Sequence, residues 1–383
     1  MKQETKEKIK MLLKREIIAS VAFFSNIEKK IIFESYGGKQ YSDNPRAISE
    51  KMHTLFPGFK QLWVLVKDWE GDIPDYVEVC RKGTFAYWYA LATCFAFVRN
   101  EVMRNDLYKR KGQLYIQTWH GDRGIKKILY DSLKARGIEI KDNIYCDSEL
   151  TDLFVIGSDY AAERIKSAFR YHGEVIKTGC PRNDCLIFPH NIEEVLQRLG
   201  VDKRKKILLY APTLRRNRKV VQTTLDIDET LQHLNDRGGE WICLVRAHPK
   251  SLGVDVGSCN NIIDVSNYPD MADLLMVADF LITDYSSCSG DFILRKKPLI
   301  LAQFDLEQYM EEDRNFHIDV NKTGYLIART QDELNHFIDT MSDEQFAENC
   351  EKVLAYFGTH ETGRASEDVC RWIEQHYEAM YKE

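Results

Sequence analysis

The chain has no CxxC pair: the closest of its ten cysteines are Cys180 and Cys185, and no second Cys or His pair stands beside them in metal-ligand register. That excludes a zinc-ribbon arrangement and leaves most of the cysteines as reduced core residues, with no metal bound by the protein itself. No apolar run approaches the ~20 residues of a membrane span. The most apolar early piece, residues 17–24, is not followed by a small-residue cleavage signature, so a cytoplasmic protein is expected. Proline is scarce and no tract is of low complexity, which excludes fibrous and disordered classes. Positive charge is also short: the net charge of -6 argues against a nucleic-acid partner and confines any anion site to a local feature.

What is present fits a water-soluble globular protein, 44% apolar and 29% charged, whose 383 residues exceed one typical core and predict two domains. The opening segment sets Lys6, Lys8, Lys10, Lys14 and Arg15 beside Ile9, Leu12, Leu13, Ile17 and Ile18. Such a basic amphipathic helix either packs as a terminal helix or rests on the inner membrane surface. Beyond it, apolar strand-like runs alternate with helical periodicity. Strands are read at 30–34, 61–66, 76–80, 94–98, 113–118, 153–156 and 174–177, then at 206–210, 241–246, 261–265 and 298–301, with one more opening the stretch 281–292. Asn44 is read as the cap of a helix with Pro45 in first position, and helices are read at 84–91, 192–199, 228–236, 271–277 and 363–381. The alternation predicts two α/β domains in series, 1–188 and 189–383, each with a mostly parallel sheet, and a last helix able to cross both.

Residues 281–292, LITDYSSCSGDF, pass abruptly from apolar to hydroxyl and acidic residues at the start of a helix-like segment. Ser286, Ser287 and Ser289 suit a helix entry, where side-chain oxygens cap orphan N–H groups and exposed amides can hold an anion such as phosphate. An ordinary N-cap explains the same residues. His120, in QTWHG at 117–121, and His248, in RAHP at 246–249, each follow a strand, at the edge where open α/β sheets take ligands. Either a general base or a hydrogen-bonded structural histidine fits each. Arg123, Lys126 and Lys127 read as a short basic helix, a solvated face or an anion-attracting rim.

Taken together with SYGGKQYSDNPRA at 35–47, TGCPRND at 178–184, LYAPT at 209–213, DVSNYPDMADLL at 264–275, FDLEQY at 304–309 and HETGRAS at 360–366, these motifs span nearly the whole chain. In number and order they resemble the CDP-glycerol:poly(glycerophosphate) glycerophosphotransferases, which build wall teichoic acid and related capsules. The resemblance implies a GT-B-like fold, two Rossmann-like domains facing a central cleft, the first binding the acceptor and the second the CDP-alcohol. It implies transfer of glycerol phosphate, or a related alditol phosphate, from CDP-glycerol or CDP-ribitol to a hydroxyl of a lipid-linked or polymeric glycan, with CMP released. His120 would be the general base, and His248 would bind the pyrophosphate and help CMP leave. Ser286, Ser287, Thr283, Asp284, Arg246, Thr213, Asn267, Tyr268, Pro269 and Asp305 would form the donor side. Gly121, Asp122, Arg123 and Arg182 would form the acceptor side, and Arg215 is a second phosphate candidate. Mg²⁺ would enter only with the substrate.

The chain departs from the family pattern in three places. Asp122, Arg123 and Gly124 replace a Thr-Pro-Leu continuation, setting a fixed cation beside the proposed base, and Cys180 and His317 stand where aromatics are usual. The length, without a large extra amino-terminal domain, leans toward addition of a single unit. The competing readings are a GT-B glycosyltransferase or sugar-nucleotide epimerase, and a non-catalytic CDP-alcohol or polymer-binding protein.

Overall fold

The structure, a computed structural model, describes residues 3–102, 109–138, 143–215, 221–222, 225–247, 254–255, 261–312 and 315–381. Seven strands form a first sheet: β1 (Glu28–Glu34), β2 (Lys60–Leu65), β3 (Val77–Arg81), β4 (Cys94–Arg99), β5 (Leu114–Gln117), β6 (Leu153–Ile156) and β7 (Glu174–Lys177). They lie in the order β3-β2-β1-β4-β5-β6-β7, and every pairing is parallel. Strands covered on both faces must be apolar throughout. Accordingly β4, CFAFVR, is buried at every position, with Arg99 neutralised by Glu34 at 2.8 Å.

Eight strands follow: β8 (Lys206–Ala211), β9 (Val221–Gln222), β10 (Trp241–Val245), β11 (Val254–Asp255), β12 (Ile262–Asp264), β13 (Phe280–Thr283), β14 (Leu299–Ala302) and β15 (Ile327–Ala328). Among the described residues β9 and β11 pair only with each other, while the other six make a second parallel sheet in the order β12-β10-β8-β13-β14-β15. Between the sheets runs the helix Ile192–Leu199, which buries Val195 and Leu199 in the second core; Leu186, earlier in the chain, is already part of that core.

The last helix, Ala365–Tyr381, packs on the core around the first sheet. Its Val369, Cys370 and Ile373 pack with Ile31, Phe33, Trp63 and Ile48 of the first core. Full burial stabilises a Val or Ile by about 1.5–3 kcal/mol each, which holds this helix on that core. At the other terminus, the helix Gln3–Phe24 packs through Ile18 and Ala22, and leaves Phe23 and Phe24 exposed.

Two local expectations are corrected. Residues 121–128 form no basic helix: Lys126 pairs antiparallel with Phe316, and the helix starts only at Leu129. This pairing, with His317 N donating to Ile125 O at 2.8 Å, ties the first domain to the second, a tertiary contact that overrides local propensity. The helix read as capped by Asn44 spans Asp43–Leu55, with Ser42 flanking it. The Asn44 side chain is drawn away instead, donating to Thr118 O and Trp119 O at 3.3 and 2.9 Å.

Candidate active site

Strand order reverses between β1 and β4 in the first sheet and between β8 and β13 in the second. Ligands of open α/β sheets bind outside the carboxyl ends of the strands at such reversals. At the first reversal Tyr36 follows β1, Asn100 follows β4, and His120 arrives from the end of β5. His120 Nδ1 lies 2.6 Å from Asn100 O. A carbonyl can only accept, so Nδ1 carries the proton and Nε2 keeps its lone pair, the tautomer a general base requires. Burial pushes the His120 pKa down, against the opposing pull of the Asn100 carbonyl and the Asp43 and Glu101 carboxylates, so the ring is neutral at neutral pH. Trp119, at φ 49, stacks on the ring with centroids 4.0 Å apart, and Asn44 pins the backbone of this turn. Asn100 accepts from Tyr36 N at 2.9 Å, and its buried Nδ2 has no partner among the described residues.

At the second reversal Thr213 follows β8 and Ser286 and Ser287 follow β13. Ser286 and Ser287 are partly exposed in a turn. The helix after them runs only Ser289–Phe292 before a 3₁₀ turn, so little helix dipole stands behind the two serines. Thr283 and Asp284 face inward instead. The Thr283 hydroxyl donates to Ala211 O at 2.6 Å, and Asp284 accepts from Thr213 N at 2.9 and 3.1 Å. They brace the crevice, while the buried Thr213 hydroxyl has no partner among the described residues.

The two crevices meet. A Cβ on Gly121 would stand 3.2 Å from Ser287 Oγ, and one on Gly124 3.2 Å from Ser287 Cβ, so the histidine loop rests directly on the serine loop. Glycine is what permits this approach.

Behind that contact lies a buried ion network that sequence reasoning missed as such. Arg123 is wholly buried, and donates to Gly290 O, to Gly157 O at 3.2 Å and to Glu361 at 2.7 Å, with Asp291 at 3.4 Å. Asp122 is equally occupied, accepting from Gly157 N at 2.7 Å and from the Ser158 hydroxyl at 2.5 Å. Arg182 joins Asp291 at 2.9 Å to Asp43 at 3.2 Å. Cys180, also buried, donates its N–H to Glu361 at 3.0 Å. Glu361, from the near-terminal motif, thus closes a knot between the domains. Its only sequence signal was membership of that motif, because its partners are distant in the chain. His317 packs edge-on against Tyr160.

Gly290 tests this packing, since a Cβ there would meet Arg123 Cβ at 2.6 Å and Arg123 O at 3.1 Å. Gly290→Ala is expected to cost about 1–3 kcal/mol, the usual price of overpacking, seen as a lower urea midpoint; an unchanged midpoint would show that the joint yields freely.

Elsewhere on the donor side, Asp305 is clasped by Arg215 at 2.8 and 2.9 Å and accepts from Tyr285 at 3.1 Å; Arg215 also meets Asp284 at 2.9 Å. The Arg215 guanidinium lies 5.0 and 4.9 Å from the rings of Tyr285 and Tyr309, so it is fully partnered here. Arg246 donates to Val265 O and Tyr268 O, fixing the loop that exposes Asn267 and Pro269. Tyr268 packs against the core and donates to Asp273 at 3.2 Å. His248 lies outside the described residues.

Two parallel-sheet domains whose ligand crevices face and touch define a GT-B-like cleft enzyme. The model of the CDP-Glycerol:Poly(glycerophosphate) glycerophosphotransferase family matches residues 17–375, and the chain belongs to that family. It is 30% identical to the teichoic acid glycerol-phosphate transferase of Staphylococcus aureus (strain NCTC 8325 / PS 47), over 96% of this chain and 99% of that protein. It is also 30% identical, over 76% of its length, to the teichoic acid poly(glycerol phosphate) polymerase of Staphylococcus epidermidis, of which it spans 42%. Among solved structures, the wall teichoic acid polymerase TagF, in a histidine-to-asparagine variant soaked with CDPG, superposes with a TM-score of 0.83 at 26% identity, covering 99% of this chain and 98% of that one.

Proposed function

We propose that the protein transfers glycerol phosphate from CDP-glycerol to an acceptor hydroxyl, with release of CMP, in teichoic acid synthesis. The observation that carries this is the contact of the two crevices through Gly121 and Ser287, which sets a base-ready imidazole next to a phosphate-binding loop. His120 Nε2 takes the acceptor's proton as its oxygen attacks the phosphorus bearing glycerol. The new P–O bond forms as the bond from that phosphorus to the bridging oxygen breaks, and the electron pair leaves with CMP. Ser286, Ser287 and the turn amides hold the donor phosphates, balancing charge as phosphoryl transfer demands. His248 is assigned the same leaving group by family resemblance, and any Mg²⁺ enters with the pyrophosphate.

The acceptor is a lipid-linked or polymeric glycan, bound on the His120 wall. No described helix is long and apolar enough to cross a membrane. The exposed Leu12, Leu13, Phe23 and Phe24 of the first helix suit peripheral contact with the inner membrane face, where such an acceptor resides. The test is a donor panel. CMP release from CDP-glycerol, exceeding that from CDP-ribitol and with no turnover of UDP-sugars, supports the proposal; preference for CDP-ribitol moves the alcohol, and UDP-sugar turnover overturns it.

A further inference from the structure

The segment 35–47 supplies no group to the reaction as described, yet it places Tyr36 beside the His120 ring and Asp43 on the Tyr36 hydroxyl. Tyr36 and Asp43 sit at φ 48 and 65, left-handed conformations uncommon outside glycine. Strain of that kind persists where surrounding contacts over-determine it, often at functional sites. The Asp43 carboxylate is buried; it accepts from the Tyr36 hydroxyl at 2.6 Å, from Asn44 N at 2.6 Å and from Arg182 at 3.2 Å. The Tyr36 ring stands 5.3 Å from the His120 ring. Asp43 N donates at 2.9 Å to Asp270, from the other domain.

Resting on the assignment of His120 as the base, we infer that Asp43 is a positioning residue of the transfer reaction: its carboxylate, held by Tyr36, stabilises the imidazolium formed when His120 Nε2 takes the acceptor's proton. Net charge makes the need plain. A neutral, half-buried ring gains a positive charge in the step, and among the described residues the charged groups that act on it include Asp43 from the helix Asp43–Leu55, Glu101 beyond β4, and Arg182 from the turn Pro181–Asn183. Arg182 opposes the imidazolium, and Asp43 offsets Arg182 while adding its own attraction. Since Asp43 is also bonded to Asp270, the strength of the base depends on the domains being joined.

The experiment is the pH profile of kcat for CMP release by the full chain with CDP-glycerol and a primed acceptor. Asp43→Asn keeps the shape of the side chain and tolerates the positive φ. It is expected to move the acid limb to lower pH, because the imidazolium loses its anion. Plateau kcat should fall about tenfold, the equilibrium change that one pKa unit represents, with the donor KM unchanged. A uniform loss with the limb unmoved is what a merely structural residue gives, and overturns the inference. If Asp43→Asn does not fold, Tyr36→Phe keeps the ring but strips one hydrogen bond from the carboxylate, concentrating its charge; the limb then moves to higher pH, and an unmoved limb again overturns the inference. His120→Asn separates the two claims. Full activity in that variant removes the base assignment itself, whereas loss there with an unmoved limb in Asp43→Asn removes only the role of Asp43.

Discussion

His120→Asn is expected to lower kcat for CMP release by about 10²–10⁴-fold, the range general-base catalysis typically contributes, with little change in donor KM. The split follows from the geometry. His120 sits at the reversal of the first sheet, and Ser286 and Ser287, assigned to the donor, sit at the reversal of the second. Asparagine can retain a hydrogen bond to Asn100 O, the partner of His120 Nδ1, but has no titratable nitrogen for the acceptor's proton. A matching rise in donor KM would place His120 on the donor instead.

The second large effect is on stability. Arg123→Met keeps most of the side-chain volume and removes the charge, leaving Asp122, Asp291 and Glu361 without their shared cation. Breaking a buried pair in this way typically costs 3–5 kcal/mol. Burial already pushes the Glu361 pKa up even with Arg123 beside it. In the variant the folded-state pKa rises further, so the deficit is complete above that pKa and shrinks as falling pH protonates the carboxylate. Urea midpoints across pH measure both features. Glu361→Gln added to Arg123→Met should recover part of the loss, and a midpoint that ignores both changes would show the network to be energetically idle.

Much of this architecture was legible because the strands are clean apolar runs between turn residues. β6, β7 and the helices Ile192–Leu199 and Met271–Val277 have the bounds their periodicity indicates. The histidine loop and the serine loop were legible too, since each lies just after such a strand. Less accessible was the direction of side chains within the motifs. Thr283, Asp284, Arg123 and Arg182 were read as donor- and acceptor-side groups, yet are bonded to partners 72, 71, 238 and 109 positions away. Nothing local announces such a partner. The same holds for residues 121–128, whose basic residues suggested a helix until Phe316 paired with Lys126. A buried ion network behind one loop-to-loop contact is what the tertiary structure adds.

The family and the facing crevices lead to one chemical claim, attack at phosphorus rather than at carbon. The direct measurement is the identity and stoichiometry of the products formed from CDP-glycerol and a glycerophosphate-primed lipid. The account predicts one CMP for each new phosphodiester, the latter read by ³¹P NMR. Release of CDP, or of CMP with no phosphodiester formed on the acceptor, would contradict it.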